Sequence, residues 1–133
     1  MEIKVTTENA GVPVTVVSVH GNIDSLTYQD FQSKVDELIT KGARHILVNM
    51  ADSAYISSAG LRSLHNIFNK LRSLHKDVDD DELRKQMNAG EYKSPYLKIS
   101  NLSAQLREIF ELSGFETYME IHEDADKAIA SFQ

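Results

Sequence analysis

Two adjacent hydroxyls, those of Ser57 and Ser58, stand where a buried strand is expected to turn into a helix, and Gly60 follows closely. A hydroxyl at a helix N-terminus lies near backbone N–H groups that lack helical partners and near the positive end of the helix dipole. A phosphate attached there would be stabilised locally and would change the charge of the surface sharply. Taken alone, these residues are best explained by simple capping of the helix by a serine, and regulatory phosphorylation is the alternative.

The residues on either side of the two serines have the patterns that such a turn requires. Residues 45–50 are apolar on both faces, which is typical of a central parallel strand. After the serines, apolar side chains recur at helical spacing, namely Leu61, Leu64, Ile67, Phe68 and Leu71. The sequence thus predicts a strand, a short loop and an amphipathic helix that begins near Ser58.

The rest of the chain shows similar alternation of strands and helices. A first strand near Ile3 and Val5 is expected to pair antiparallel with a valine-rich second strand that begins at Pro13. The next segment predicts a helix, and its apolar face comprises Phe31, Val35, Leu38 and Ile39, with Gly42 just past its end. The predicted fold class is α/β, a mixed and largely parallel sheet of about five strands with about four helices packed on it, in one domain spanning residues 1–133.

Residues 75–96 form a longer connection than the about 2–6 residues usual between elements. The segment is acidic, and Asp79 or Asp80 could cap a short helix that ends at Gly90. Two interpretations remain open, a solvated insertion or mobile loop, and a contact surface for a specific partner. A calcium loop is excluded, because residues 77–81 lack the glycine and the oxygen spacing that such a loop needs.

Composition restricts the classes of function. The net charge of −6, without a basic stripe, argues against nucleic-acid binding and favours a protein partner with a basic patch. The absence of cysteine excludes disulfides and thiolate metal sites and fits a reducing cytoplasm. No apolar stretch approaches the roughly 20 residues that cross a bilayer, and the N-terminus lacks a signal-peptide pattern. We expect a cytoplasmic protein that binds neither nucleic acid nor membrane.

Enzymatic constellations are missing from the sequence. His65 follows Ser58 by seven residues, about two helical turns or roughly 10 Å, which is too far for a nucleophile–base pair. The serines have glycine on only one side, so there is no nucleophile elbow, and no phosphate-binding glycine loop occurs. The remaining histidines show no metal-ligand spacing. We expect no catalytic activity, no cofactor and no metal.

Three segments, in this order along the chain, resemble the STAS domain family, whose bacterial members include anti-sigma factor antagonists. Residues 56–61 are similar to the family motif apolar-Asp-Ser-Ser/Thr-Gly-Leu, which places Ser58 on the phosphoacceptor position. Residues 21–24 resemble the Gly-x-Leu/Ile-Asp turn after the second strand, and residues 101–115 resemble the third helix with its flanks. The resemblance spans nearly the whole chain apart from the insertion.

The chain departs from the family pattern at three positions. The family commonly has Asp where Ser57 stands, Ser or Thr where Ala59 stands, and Asp at the strand end where Asn49 stands. The missing carboxylate leaves Ser57 as a second candidate for phosphorylation. Asp24 has two interpretations, capping of the first helix or a place in the partner surface beside the Ser58 loop.

The resemblance implies partner switching. The unphosphorylated protein, a monomer when free, would dock on an anti-sigma factor that is often a serine kinase, and phosphorylation of Ser58 would end docking until a phosphatase resets it. The expected partner-binding residues are Asn22, Asp24, Ile56, Ser57, Ala59, Gly60, Arg62, Asn66 and Asn69. Arg62 could equally be a solvated side chain. The rival interpretations are a scaffold module that is not phosphorylated, in a larger signalling complex, and a STAS domain that senses a small molecule or nucleotide.

Overall fold

The structure, a computed structural model, describes residues 1–75, 79–89 and 92–132. Its strands are β1 (Glu2–Asn9), β2 (Pro13–His20), β3 (Ile46–Asp52), β4 (Leu97–Ser100) and β5 (Glu120–His122). Its helices are α1 (Tyr28–Thr40), α2 (Ser58–His75), α3 (Asp80–Asn88), α4 (Ala104–Ser113) and α5 (Ala125–Ser131), and a 3₁₀ turn spans Phe115–Thr117.

The five strands form one sheet in the order β1-β2-β3-β4-β5. β1 pairs antiparallel with β2, and the remaining neighbours are parallel. This arrangement confirms the predicted hairpin and the mixed, largely parallel α/β sheet. The described helices outnumber the expected four by one, because the insertion contributes α3.

The sheet is covered on both faces, which explains why its central strands are apolar throughout. On one face the buried side chains of β2 and β3, such as Val17 and Val48, join the main core with α1, α2 and α4. On the other face Val14, Val16 and Leu47 pack with Ala128 and Phe132 at α5. The central strand β3 is thereby held between two layers of helices, and its end positions the loop that leads to α2.

Helix α1 follows the predicted apolar pattern. Phe31, Val35 and Ile39 are buried, and Leu38 is half-buried against the same core. Gly42 has a φ of 110°, the left-handed conformation expected at the residue just past a helix. The helix therefore ends where the sequence predicted.

The described part of the insertion is a helix rather than an irregular loop. Asp79 caps α3, since its carboxylate accepts a hydrogen bond of 2.7 Å from the backbone N–H of Glu82. The predicted short helix with a cap at Asp79 is confirmed, and Leu83 and Met87 pack it against the main core. Asp77 and the predicted helix stop at Gly90 lie outside the described residues.

A buried lysine fastens α5 to the sheet. The Lys98 Nζ donates to the backbone oxygen and the hydroxyl of Ser131, at 3.1 and 2.9 Å, and lies 3.0 Å from a carboxylate oxygen of Glu120. These three partners satisfy the three N–H donors of the ammonium group, which makes its burial tolerable. None of the helices in the described ranges has the length and apolarity to cross a membrane.

Candidate functional site

The N-terminus of α2 separates the roles of the two serines. Because the helix begins at Ser58, Ser57 occupies the N-cap position. The Ser57 hydroxyl oxygen accepts a bond of 3.3 Å from the N–H of Gly60, and the Ser57 carbonyl accepts one of 2.9 Å from the N–H of Leu61. Ser58 is the first helical residue, and its side chain is exposed. The capping role therefore falls to Ser57, which leaves the Ser58 hydroxyl accessible.

The turn after β2 is bonded directly to the loop before α2. The N–H of Ile23 donates to the carbonyl of Tyr55 at 3.2 Å, and the N–H of Ser57 donates to the carbonyl of Ile23 at 2.9 Å. These bonds form a parallel bridge between Ile23 and Ile56. Two segments that the resemblance singled out, and that lie far apart in the sequence, are thus joined through their backbones. The bridge fixes the surface around Ser58.

Close packing beneath the loop requires glycine at position 60. A Cβ atom added there would lie 2.6 Å from the Ile56 side chain and 2.7 Å from the backbone oxygen of Ile23. Both distances are well below van der Waals contact, so α2 can approach the bridge this closely only without a side chain at this position. Gly60 therefore positions the first turn of α2 against the bridge.

Asp24 orders the turn that precedes α1. Its carboxylate accepts bonds from the backbone N–H groups of Leu26, at 2.9 Å, and Thr27, at 3.2 Å. Thr27 holds the N-cap position of α1, so the interpretation that Asp24 caps this helix is wrong. The Asp24 carboxylate instead stabilises the turn that immediately precedes the helix. The described contacts include no hydrogen bond from Asp24 to the Ser58 loop.

The predicted partner-binding residues lie at different depths. The exposed members are Asn22, Arg62, Asn66 and Asn69, and the half-buried members are Asp24, Ser57 and Ala59. Ile56, at 1% exposure, and Gly60 are buried, which corrects their predicted place on the surface. Ile56 is buried because it forms the bridge with Ile23, and Gly60 is buried because it packs against both of these residues. They support the surface from below.

Two exposed apolar side chains at this end of the molecule were not predicted from the sequence as binding residues. Leu26, in the turn that Asp24 orders, is 88% exposed, and Tyr55, in the loop before α2, is 44% exposed. A sequence signal existed for Leu26, because it lies outside the helical spacing of the apolar residues of α1. Nothing in the sequence places either residue beside Ser58 until the bridge between the two segments is known.

The charges near Ser58 favour an added anion. The first turn of α2 contains no acidic residue, and the exposed Arg62 follows Ser58 by four residues on the same helix. Residues at this spacing are neighbours on a helix surface.

The third departure from the family pattern is Asn49. Its side-chain oxygen accepts a hydrogen bond of 3.0 Å from the N–H of Ala51.

The histidines take part in packing and in local polar contacts. His65 contacts the hydroxyl of Tyr118 at 2.9 Å, and burial raises the pKa of Tyr118 to about 12. At the strand ends near the site, His20 lies 2.9 Å from a carboxylate oxygen of Asp52. Within residues 1–75, 79–89 and 92–132, no group of three or more His, Asp or Glu side chains could hold a metal ion.

Known proteins share both sequence and fold with this chain. BtrV of Bordetella bronchiseptica, provisionally named an anti-sigma factor antagonist, is 25% identical over 118 residues, which cover 89% of this chain and 85% of BtrV. A crystal structure from Thermotoga maritima, with the same provisional name, has a TM-score of 0.72 at 15% identity and covers 96% of this chain and 91% of its own. The phosphorylated form of SpoIIAA from Bacillus has a TM-score of 0.62 at 16% identity, with 96% of both chains covered.

At these identities the solved structures show a common fold, and membership of a family rests on the sequence itself. The STAS domain family model matches residues 4–78, more than half of the 133-residue chain. The matched range contains most of the hairpin and all of α1, β3 and α2, and so includes both segments joined by the bridge. This chain belongs to the STAS domain family.

Proposed function

We propose that this protein is an anti-sigma factor antagonist of the cytoplasm. It docks on an anti-sigma factor that is also a serine kinase, and thereby acts in the regulation of transcription. Phosphorylation of Ser58 ends docking, and a phosphatase restores it. Family membership and the names of BtrV and the solved relatives support the general role. The geometry around Ser58 supports the switch.

The exposed Ser58 hydroxyl at the start of α2 is the observation that carries this proposal. A kinase must reach the hydroxyl, and the side chain of Ser58 is exposed whereas that of Ser57 is half-buried and caps the helix. Phosphorylation of Ser57 would disturb a cap worth about 1 kcal/mol. Ser58 is therefore the favoured acceptor of the two.

The start of α2 is also suited to hold the phosphate. The dipole of an 18-residue helix favours an anion at its N-terminus, and no acidic residue in the first turn opposes it. Arg62 lies one turn further along and can pair with the phosphate as a partner four residues away. The phosphorylated protein thus gains local interactions without a change of fold.

The docking face comprises Asn22, Asp24, Leu26, Tyr55, Ser57, Ser58, Ala59, Arg62, Asn66 and Asn69. Leu26 and Tyr55 supply the exposed apolar area that dominates binding energy in many interfaces, and the polar residues surround it. A phosphate brings a charge of about −2 with strongly bound water into this face. Docking would have to remove that water, at a desolvation cost that pairing with one arginine does not offset, so the complex is disfavoured.

A kinase assay tests the acceptor. The protein is incubated with its cognate kinase and ATP, and the phosphate is located by mass spectrometry. We expect phosphate on Ser58, retained in Ser57→Ala and lost in Ser58→Ala. Phosphate found elsewhere than on these two serines would refute the switch.

A binding assay then tests the consequence of the added charge. Ser58→Asp, which carries part of the charge of a phosphate, should bind the anti-sigma factor at least about tenfold more weakly, a change of about 1.4 kcal/mol. Ser58→Ala removes only the hydroxyl and is the matched control, expected to bind like the wild type. Equal affinity of the two variants would contradict the mechanism.

A further inference from the structure

The strand β1 is an end strand of the sheet and is long for that position. It has eight residues, whereas β5 at the opposite end has three. An end strand presents a row of unpaired N–H and C=O groups, which can pair with another strand. Proteins commonly limit this by keeping end strands short, as β5 is. The length of β1 is therefore a feature that needs an explanation.

The direction of each backbone group in β1 follows from the bonds of β2. Thr15 donates its N–H to His45, and Gly21 donates its N–H to Asp52, so the odd-numbered residues of β2 face β3. Successive residues of a strand point their backbone groups to opposite sides. The even-numbered residues of β2 therefore face β1, and the bond from Ala10 to Val12 at the hairpin agrees.

The pairing of β1 with β2 shows which residues of β1 direct their backbone groups towards β2. Thr6 lies opposite Val16, Glu8 opposite Val14 and Lys4 opposite Ser18, so the even-numbered residues of β1 bond to β2. The odd-numbered residues consequently direct their backbone N–H and C=O groups to the open edge. They are Ile3, Val5, Thr7 and Asn9.

Two opposite charges lie on this edge strand without partners. Lys4 and Glu8 are exposed, and within the described residues neither makes an ion pair. They are an even number of residues apart, so both side chains point to the same face of the sheet. A lysine on an edge normally discourages pairing with another strand, unless that strand places an acidic residue opposite it.

We propose that β1 pairs antiparallel with β1 of a second copy of this chain, about a twofold axis at Thr6. This register places Lys4 of each copy opposite Glu8 of the other, and it joins Ile3 to Asn9 and Val5 to Thr7 through the outward backbone groups. A twofold axis at Val5 would also match the backbone groups, but it would place Glu2 opposite Glu8 and oppose like charges. The proposal does not depend on the proposed function, and it replaces the expectation of a free monomer.

The absence of cysteine makes disulfide crosslinking a direct test of the register. In the proposed dimer the two Thr6 residues face each other as a pair without mutual backbone bonds, with Cα atoms about 4.5 Å apart, within the range of a disulfide. Thr6→Cys should therefore crosslink to a dimer under mild oxidation. Glu2→Cys, also exposed on the same face of the strand but outside the Lys4–Glu8 pairs, is the matched control and should crosslink at least about tenfold more slowly, because the register places it opposite Ala10.

Val5→Cys distinguishes the alternative register, since only a twofold axis at Val5 brings the two cysteines together. Faster crosslinking of Val5→Cys than of Thr6→Cys would overturn the proposed axis. Equal rates for Thr6→Cys and Glu2→Cys would indicate random collision and would overturn the dimer, leaving the edge free for a strand of a different protein.

Sedimentation of charge variants tests the same contact without oxidation. One pair of strands buries less area than the roughly 1,200 Å² of a stable complex, so a weak dimer is expected and concentrations up to about 1 mM are needed. Lys4→Glu and Glu8→Lys should each weaken dimerisation about tenfold, because each puts two like-charged pairs across the axis. The double variant exchanges the charges and should restore the wild-type affinity. A wild type that stays monomeric at about 1 mM, or a double variant no better than the single ones, would overturn the proposal.

Discussion

The two ends of helix α2 are both held in place, but by different groups. At the N-terminus, the backbone bonds between Ile23 and the loop around Ser57 fix the chain, while the Ser58 side chain remains exposed. At the C-terminus, the ring of His75 stacks on that of Tyr96, with centroids 3.6 Å apart and planes 3° from parallel. The His75 Nε2–H donates to the carbonyl of Arg44 at 3.2 Å.

This difference decides which end is available for binding. Where backbone groups hold the structure, the side chains are left to contact a partner or accept a phosphate. Where side chains hold the structure, as His75 and Tyr96 do, a change in their chemistry alters packing first. The 18 residues of α2 separate the two ends by about 27 Å. Changes at one end are therefore expected to affect docking and changes at the other to affect stability.

The largest expected effect is a loss of stability on substitution of Gly60, because this glycine lets α2 pack against the backbone bridge that supports the docking face. Gly60→Ala introduces a Cβ 2.7 Å from the Ile23 oxygen, a backbone atom of the bridge that cannot move away freely. Although alanine normally stabilises a helix by about 1 kcal/mol relative to glycine, overpacking here should cost about 3 kcal/mol of unfolding free energy. Urea denaturation measures this loss, and docking should weaken with it.

Asn69→Ala is the control for the general effect of alanine in α2. Asn69 is exposed on the same helix, so this variant should gain about 0.5 kcal/mol at most. If Gly60→Ala were as stable as the wild type, the close approach of α2 to the bridge would not be what fixes the docking face.

Elements defined by local patterns were predictable from the sequence. The apolar run of β3 and the helical spacing after Ser58 correspond to a strand and a helix in the structure, and Gly42 ends α1 as expected. Ser103 and Asp124 cap α4 and α5 through their side chains, and serine and aspartate are residue types favoured at that position. Each of these features depends on residues close together in the chain, which is why the sequence alone indicates them.

Features that depend on distant contacts were not predictable. The burial of Ile56 follows from a bridge to Ile23, and a residue buried in a loop has no periodicity to mark it. The sequence indicated a short helix capped near Asp79, but not that Leu83 and Met87 would pack it against the core. The spacing showed that Leu26 lies off the apolar face of α1, but not that its turn is bonded to the loop before α2, because those bonds join distant segments.

The second effect concerns docking alone. Leu26→Ser removes an 88% exposed side chain, so stability should change by no more than about 0.5 kcal/mol. If Leu26 is an apolar anchor of the docking face, affinity for the anti-sigma factor should fall about tenfold. Titration calorimetry with the partner measures the affinity. Leu112→Ser is the matched control, because Leu112 is 83% exposed on α4 and is not one of the proposed docking residues, so its loss should leave affinity unchanged.

The smallest effect is a pH dependence of stability near the C-terminal end of α2. Burial lowers the pKa of His45 below its ordinary value of 6.5, and the nearby charges of His75 and Lys98 lower it further. The centroid of the His45 ring lies 5.7 Å from that of His75 and 6.0 Å from those of Tyr96 and Phe132. Lys98 in turn lies 3.0 Å from a carboxylate oxygen of Glu120. A proton on His45 is thus opposed by its surroundings in the folded protein.

The sign of the dependence follows from the protons bound in each state. As the pH falls through 6.5, the unfolded chain protonates at His45 and the folded chain resists, so unfolding becomes more favourable. Stability should therefore fall as the pH drops from about 7 through 6.5 towards the lowered pKa of the folded state. His45→Phe keeps a ring but cannot take a proton, so the fall in melting temperature over this range should be smaller than in the wild type. Identical pH profiles would show that His45 does not contribute, whereas docking at neutral pH should be the same for both proteins, because the charge that changes lies at the end of α2 opposite Ser58.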